Sequence, residues 1–287
     1  MSTSNYHVDV AGTRIALQDS AGPGLPVLLL HGSGSSKEVF RRQFDSPLAT
    51  LFRLVAIDLP GHGRSGDAAD AETAYGITGL ARTCGAVLDE LGIERAAVMG
   101  WSLGGHVAIE LMARHPAIAG LMLCGVPPIG KGPLAGIRGF HLSRDTLLGG
   151  KENFSANDRE RFLRLCFRDD FDAGDRTALE RADGRLRPVF SRSLSARDSV
   201  DQKAAIERTP LPVAMVNGAL DPIVRLNYIA ALDYRNLWDD RCHVLPMAGH
   251  AAFREFPETF NQLFHRFLMD VTVSRVRPEL DQVSRRA

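Results

Sequence analysis

The chain has 287 residues, of which 45% are hydrophobic, enough for one large α/β domain with a sizeable core and an insertion. Lysine plus arginine and aspartate plus glutamate each number 34, so no overall field would draw the chain to nucleic acid or to an anionic membrane. We therefore expect a neutral small molecule as the partner and a monomer as the default assembly.

Residues 1–17 do not show the pattern of a secretory signal peptide, which is a basic stretch followed by an apolar one. No later apolar run is long enough to span a bilayer, so we expect a cytoplasmic protein. Residues 6–10 and 14–17 alternate polar and apolar side chains on either side of Gly12. This alternation predicts a half-buried antiparallel hairpin.

Short apolar runs then recur, spaced by stretches with helical periodicity, as is typical of strands buried on both faces. The alternation predicts a mostly parallel sheet with helices on both faces. The predicted strands are residues 27–30, 54–57, 96–99, 121–124, 213–216 and 243–245. The predicted helices are residues 79–91, 103–114 and 258–269.

The strand rhythm disappears over residues 127–208, where short helical patterns such as residues 158–167 lie among charged stretches. We interpret this segment as a helical cap inserted between strands of the sheet. The core then comprises residues 1–126 and 209–270. Residues 271–287 are polar and rich in arginine, which predicts a flexible tail.

The strongest local signal is the GxSxG motif at residues 100–104, between the predicted strand 96–99 and the predicted helix 103–114. In this context the serine lies on a sharp strand-to-helix turn, where small neighbours leave its Oγ exposed. The helix N-terminus also favours negative charge that develops there. Ser102 is therefore the candidate nucleophile, although the motif alone would also fit a glycine-rich turn with an N-capping serine.

A second motif, HGSG at residues 31–34, directly follows the predicted strand 27–30. Acyl transfer needs two N–H donors aimed at the oxyanion, one from the residue after the nucleophile and one from this earlier loop. The candidate donors are the backbone N–H groups of Leu103 and Ser33. His31 is interpreted as a histidine that braces the loop, because the loop contributes backbone groups.

His250 is the candidate general base. Enzymes that carry GxSxG on such a turn order their triad along the chain as nucleophile, acid and histidine. His250 lies in a loop of small residues after the predicted strand 243–245. The competing histidines, His243 and His265, lie within the predicted strand and final helix, where a structural or solvated role is simpler.

Asp221 is the candidate acid, because it is the only carboxylate in the loop at residues 217–222, which follows the predicted strand 213–216. A carboxylate at this place would orient the imidazole. The alternative is an N-cap for the next helix, since Asp-Pro is a frequent helix start.

Other polar groups favour structural roles. The segment DLPGHGRS at residues 58–65 is dominated by glycine and proline, which predicts a tight turn. His106 is expected to pack or to make a hydrogen bond. No HExxH or related arrangement and no CxxC pair occurs, so we expect neither a metal nor another cofactor. Reduced, mostly buried thiols are expected at Cys84, Cys124, Cys166 and Cys242.

The combination of HGSG, AIDLPGHGRSG, GWSLGGH, a late Asp-Pro and AGH resembles the α/β-hydrolases over nearly the whole chain outside the tail. A narrower likeness is carried by KEVFR at residues 37–41, GVPP at 125–128, NLW at 236–238 and AAFRE at 251–255. Together these segments resemble the α/β-hydrolase-fold N-acyl-homoserine lactonases, the quorum-quenching enzymes that open the lactone ring of the signal without metal.

The resemblance implies an α/β-hydrolase fold with an inserted helical cap. Relatives carry glutamate where this chain has Asp221, and a cap tyrosine where it has Phe162, which removes a hydroxyl that could contact the substrate. We also expect substrate contacts from Gly32, Trp101 and Phe162. The positions that match the nucleophile, base and oxyanion donors of that group are Ser102, His250, Ser33 and Leu103.

Three functions fit these motifs. The lactonase is the first. A general carboxylesterase, or a carbon–carbon bond hydrolase with the same triad, is the second, and a ligand receptor with vestigial hydrolysis is the third. Epoxide hydrolases and haloalkane dehalogenases are disfavoured, because they use aspartate where this chain has Ser102.

Overall fold

A computed structural model describes residues 3–10, 12–132 and 135–274. Eight strands form one sheet in the order β1-β2-β4-β3-β5-β6-β7-β8, in which β1, β2 and β4 pair antiparallel and the other neighbours pair parallel. The predicted mostly parallel sheet is thus confirmed. The strands are β1 Ser4–Val10, β2 Thr13–Asp19, β3 Pro26–Leu30, β4 Arg53–Ile57, β5 Ala96–Trp101, β6 Ile118–Cys124, β7 Val213–Gly218 and β8 His243–Leu245.

Helices cover both faces of the sheet. The α-helices are α1 Arg41–Phe44, α2 Leu48–Leu51, α3 Ala71–Tyr75, α4 Ile77–Glu90, α5 Leu103–Arg114, α6 Ala135–Gly139, α7 Ala156–Phe167, α8 Ala173–Arg181, α9 Leu186–Ser193, α10 Gln202–Arg208, α11 Leu226–Ala230, α12 Ala252–Glu255 and α13 Pro257–Val273. Short 3₁₀ helices span Lys37–Phe40, Thr146–Gly150 and Trp238–Asp240.

The core has two layers, because successive residues of a strand point to opposite faces of the sheet. Leu28 and Leu30 of β3 pack into the layer beneath α4 and α5, whereas Val27 and Leu29 pack into the layer beneath α13. Burial on both faces explains why the central strands are continuous apolar runs.

The last helix extends beyond its predicted end at Met269. Val271 is fully buried in the same layer as Phe264 and Phe267, so α13 continues to Val273 and residues 271–273 do not belong to a flexible tail. The rest of the tail predicted for residues 271–287, from residue 275 on, lies outside the described residues.

Helices α6 to α10 lie between β6 and β7 in the chain, in the segment predicted as a cap. Some of them pack directly on the helices of the sheet, α9 against α3 and α4, and α10 against α5. The division at residues 127 and 208 stays a prediction. In the described ranges, no helix combines the length and the apolar character that crossing a membrane requires.

Candidate active site

Ser102 lies on a turn between β5 and α5 that only small neighbours allow. Its φ of 53° is in the left-handed region, which is strained for a residue with a side chain. A Cβ at Gly100 would lie 2.5 Å from the Cα of Gly105, and a Cβ at Gly104 would lie 2.2 Å from the carbonyl oxygen of Leu30. The glycines of the motif are therefore a steric requirement of the turn.

The backbone of Ser102 is held, and its hydroxyl is left unbonded. The N–H donates to the carbonyl of Cys124 over 3.0 Å, and the carbonyl accepts from the N–H of Gly105 over 2.9 Å. Among the described residues, no group makes a hydrogen bond to the half-buried Oγ. Leu103, the first residue of α5, has an N–H that lacks an acceptor within the helix, as expected for a first-turn donor.

Asp221 binds His250, with 2.8 Å between the carboxylate Oδ2 and the imidazole Nδ1. Both side chains are fully buried. The other carboxylate oxygen, Oδ1, accepts from the N–H groups of Ile223 and Val224 at 2.8 and 3.1 Å. Asp221 therefore contacts the histidine and also accepts from the turn that follows it, but it is not the N-cap of the next helix, because α11 begins at Leu226 with Arg225 as its N-cap.

The Nε2 atom of His250 is buried and has no hydrogen-bond partner within the described part of the chain. Because Nδ1 carries the proton shared with Asp221, Nε2 of the neutral ring presents a lone pair. A buried polar atom without a partner is unusual and needs an explanation. Here it is an acceptor available to a hydroxyl.

Two contacts of His250 place it next to the turn that carries Ser102. The indole Nε1 of Trp101 donates to the carbonyl of His250 over 3.0 Å. A Cβ at Gly125 would lie 2.6 Å from the imidazole Cε1, so this glycine allows the ring to approach the end of β6. Gly125 follows Cys124, whose carbonyl holds the Ser102 N–H. The ends of β5 and β6 and the loop before α12 thus meet at one edge of the sheet.

The sequence did not reveal what holds the His250 loop. Both carboxylate oxygens of Glu255 accept from the N–H of Gly249, at 3.0 and 3.1 Å. Arg168, at the end of α7, donates to the carbonyl of Met247 over 2.8 Å and lies 3.5 Å from Glu255. Burial raises the pKa of the Glu255 carboxyl. The AAFRE segment contributed to the resemblance to the lactonases, but it did not predict that Glu255 holds this loop, because that role also depends on Arg168, which lies 87 positions away.

The predicted substrate contacts occupy different surroundings. Trp101 is 1% exposed and packs with ring centroids 5.2 Å from Phe167, so its indole lies in the core. A Cβ at Gly32 would lie 2.8 Å from that indole. Phe162 is also buried, and its Cε1 lies 3.7 Å from where a Cβ at Gly34 would be, so this residue of the predicted cap lies against the HGSG loop. Their contacts with a substrate stay predictions.

Three further histidines have the structural surroundings predicted for them. His106 is buried and bonds to Gln202, with 2.8 Å between Nδ1 and Oε1. Burial lowers the pKa of His106 to about 4, so this ring is neutral near pH 7. His243 lies in β8 and His265 lies in α13.

No set of three or more His, Cys, Asp or Glu side chains within the described ranges is grouped so that it could hold a metal ion. The four cysteines are free thiols, and three of them are buried. Two surface clefts have volumes of about 1070 and 1050 Å³, and none of the three candidate triad residues lines either of them. Neither cleft therefore defines the active site.

The chain is similar to known proteins over most of its length. Residues 27–263 match the alpha/beta hydrolase family. The N-acyl homoserine lactonase AidH, solved with N-hexanoyl homoserine as a glutamate-to-glycine mutant, is 36% identical over 96% of this chain and 99% of that chain, with a TM-score of 0.92. An esterase from Exiguobacterium antarcticum is 18% identical over 93% of this chain and 100% of its own, with a TM-score of 0.77, a likeness of fold alone. The chain therefore belongs to the alpha/beta hydrolase family and resembles the N-acyl homoserine lactonase AidH, as its motifs predict.

Proposed function

We propose that this chain is a serine hydrolase that opens the lactone ring of N-acyl-homoserine lactones, with Ser102 as nucleophile, His250 as general base and Asp221 as the orienting acid. The observation that carries the proposal is the buried His250 imidazole, which is bonded to Asp221 at Nδ1 and unpaired at Nε2. Its loop adjoins the strained turn of Ser102. Activation of a serine hydroxyl requires an imidazole that is oriented at one nitrogen and free to accept at the other, and these contacts support that assignment.

In the first half of the proposed reaction, Nε2 of His250 takes the proton of Ser102 as Oγ attacks the lactone carbonyl carbon. The carbonyl oxygen becomes an oxyanion that accepts hydrogen bonds from the N–H groups of Ser33 and Leu103. Collapse of this intermediate breaks the ring C–O bond. The leaving alkoxide takes the proton from His250, which yields an ester between the opened substrate and Ser102.

In the second half, His250 removes a proton from water as the water attacks this ester. The second tetrahedral intermediate uses the same two donors, and its collapse breaks the bond to Ser102 Oγ, which regains its proton from His250. The product is N-acyl-homoserine, heavier than the lactone by one water. Asp221 stabilises the imidazolium that forms in each half.

The choice of a lactone as substrate is supported by AidH. That lactonase is solved with the ring-opened N-butanoyl homoserine, and its serine-to-glycine mutant is solved with intact N-hexanoyl homoserine lactone. We infer the same substrate class for this chain from 36% identity over nearly the full length of both chains. This chain has Asp221 where relatives have glutamate, and the change is compatible with the proposed substrate class, because the shorter carboxylate still lies 2.8 Å from the His250 imidazole.

The proposal is tested by Ser102→Ala. We expect the variant to keep the circular dichroism spectrum of the wild type and to lose at least about 10⁴-fold in kcat on a short p-nitrophenyl ester and on N-hexanoyl homoserine lactone. A matched control is Ser143→Ala, which alters an exposed hydroxyl in the predicted cap. Turnover by Ser102→Ala at the wild-type rate would remove this residue from the chemistry.

Mass spectrometry of the products separates the alternatives. A gain of one water on an N-acyl-homoserine lactone supports ring opening, whereas release of the free fatty acid would indicate amide cleavage. Hydrolysis of the p-nitrophenyl ester with no change in any lactone would favour the general carboxylesterase. Multiple turnovers of lactone per enzyme would exclude a receptor with vestigial hydrolysis.

A further inference from the structure

The HGSG loop is tied to the turn at residues 58–65 by buried hydrogen bonds. The N–H of Leu59 donates to Nε2 of His31 over 3.0 Å. In the opposite direction, the N–H of Gly34 donates to Nε2 of His62 over 3.1 Å. The two imidazoles touch, with ring centroids 4.8 Å apart, and both are about fully buried. The turn therefore supports the loop that carries Ser33.

Each peptide unit beside Ser33 is oriented by one of these rings. The Gly32 carbonyl accepts from Nδ1 of His31 over 2.8 Å. Because a peptide unit is planar and its C=O and N–H point in opposite directions, this bond sets the direction of the Ser33 N–H in the same unit. The next unit is held through the Gly34 N–H, which donates to His62. Rotation about either backbone bond of Ser33 is thus constrained on both sides.

The partners of His62 assign its protonation state. Nδ1 lies 3.2 Å from the carbonyl of Pro60, so it carries the proton, and Nε2 accepts from Gly34. A proton on Nε2 would face the Gly34 N–H and break this bond. Burial holds the pKa of His62 well below its ordinary value, so the ring remains an acceptor.

We propose that His62 is a positioning residue for the reaction: as a neutral acceptor it restrains the peptide unit that follows Ser33, and with His31 on the preceding unit it keeps the Ser33 N–H directed at the oxyanion. The inference rests on the proposed function, because it takes the Ser33 N–H as an oxyanion donor. His62 touches no reacting atom. Its contribution comes through Gly34, whose φ of 71° lies in the left-handed region and at which an added Cβ would lie 2.4 Å from Leu179 Cδ1.

A pair of substitutions separates positioning from general support. In His62→Gln the amide oxygen can reach the place of Nε2 and accept from Gly34. In His62→Asn the shorter amide can bond only to Pro60. We expect His62→Asn to lose about ten- to a hundredfold in kcat on a p-nitrophenyl ester with KM within about twofold, since an oxyanion donor is misdirected in the transition state. His62→Gln should recover most of that loss.

The control is His7→Gln, on an exposed position of β1 at the far edge of the sheet, which should leave kcat unchanged. Equal losses in the Asn and Gln variants, no loss in either, or a change in KM alone would overturn the inference. Ser102→Ala is run beside them, so that wild-type activity in that variant identifies failure of the proposed function itself.

A measurement on the unsubstituted protein covers the case in which the variants do not fold. Nitrogen-15 NMR of the histidine rings distinguishes a protonated nitrogen from one with a free lone pair. We expect one buried ring in contact with Pro60 to be neutral and protonated at Nδ1 from pH 6 to 8. A cationic His62, or a proton on Nε2, is incompatible with the Gly34 bond and would overturn the inference.

Discussion

The turn around Ser102 and the junction between the predicted cap and the core are held by different forces. At the turn, Gly100 and Gly104 leave no room for another atom, so the geometry depends on contacts within about 3 Å. At the junction, Arg254 of α12 makes two bonds to Asp175, at 2.8 and 2.9 Å, and one to Asp170. The guanidinium also lies 4.6 Å above the ring of Phe167.

The two regions differ in how well they tolerate a substitution. A steric requirement fails at once when an atom is added, because the neighbouring groups are backbone and cannot turn aside. An ionic cluster fails by degrees, because each remaining bond keeps part of the interaction. We therefore expect substitutions at the turn to have larger effects than substitutions at the junction, and three experiments test this order.

The largest effect is expected for Gly104→Ala. The added Cβ would lie 2.2 Å from the carbonyl oxygen of Leu30 and 2.6 Å from that of His31, so a strand or the helix must move. We expect a loss of more than about 3 kcal/mol in the free energy of unfolding, measured by urea denaturation. The matched control is Gly149→Ala in the predicted cap, where a Cβ meets nothing within 4 Å. Equal stability of the two variants would contradict the steric account.

A smaller effect is expected from His106, which joins α5 to Gln202 of α10. In the unfolded chain this ring takes up a proton near pH 6.5, whereas burial lowers the pKa in the folded chain to about 4. Between these values the unfolded state binds more protons, so the free energy of unfolding decreases as the pH falls, by at most about 1.4 kcal/mol per pH unit from this group.

The measurement is urea denaturation of the wild type and of His106→Gln at several pH values between 4 and 7. The variant removes the titrating group, so its stability should depend less steeply on pH within that window. The difference between the two proteins isolates His106 from the other histidines and the carboxylates. Parallel pH profiles would show that His106 does not titrate differently in the two states.

The smallest effect is expected at the junction. Arg254→Met should cost about 2 kcal/mol, less than a fully buried ion pair, because Asp170 is partly exposed and Asp175 keeps its bond from the Asp172 N–H. Arg176→Met, which removes a solvent-exposed pair with Glu160, should change the stability much less. Thermal unfolding of both variants checks this. If Arg254→Met were as damaging as Gly104→Ala, the contrast between the regions would be lost.

Local sequence patterns by themselves predicted most of the strands, the start and end of α5 and the candidate triad. The apolar runs identified the parallel strands, because a strand buried on both faces excludes polar side chains. The start of α5 at Leu103 and its end before Pro116 followed from the motif and from the residue that cannot continue a helix. The order of nucleophile, acid and histidine narrowed the candidates to Ser102, Asp221 and His250.

Only the tertiary structure decided how distant segments meet. Glu255 and Arg168 hold the His250 loop, and His62 bonds to Gly34. No sequence pattern predicts these contacts, because the residues that make them are not related by a motif or by a regular spacing. The same holds for Val271, which is helical and buried because α13 lies along a layer that includes Ala119 of β6. Periodicity indicates whether a position is buried. Which residue it packs against depends on how the helices and strands are arranged in space, and the order of the chain does not fix that arrangement.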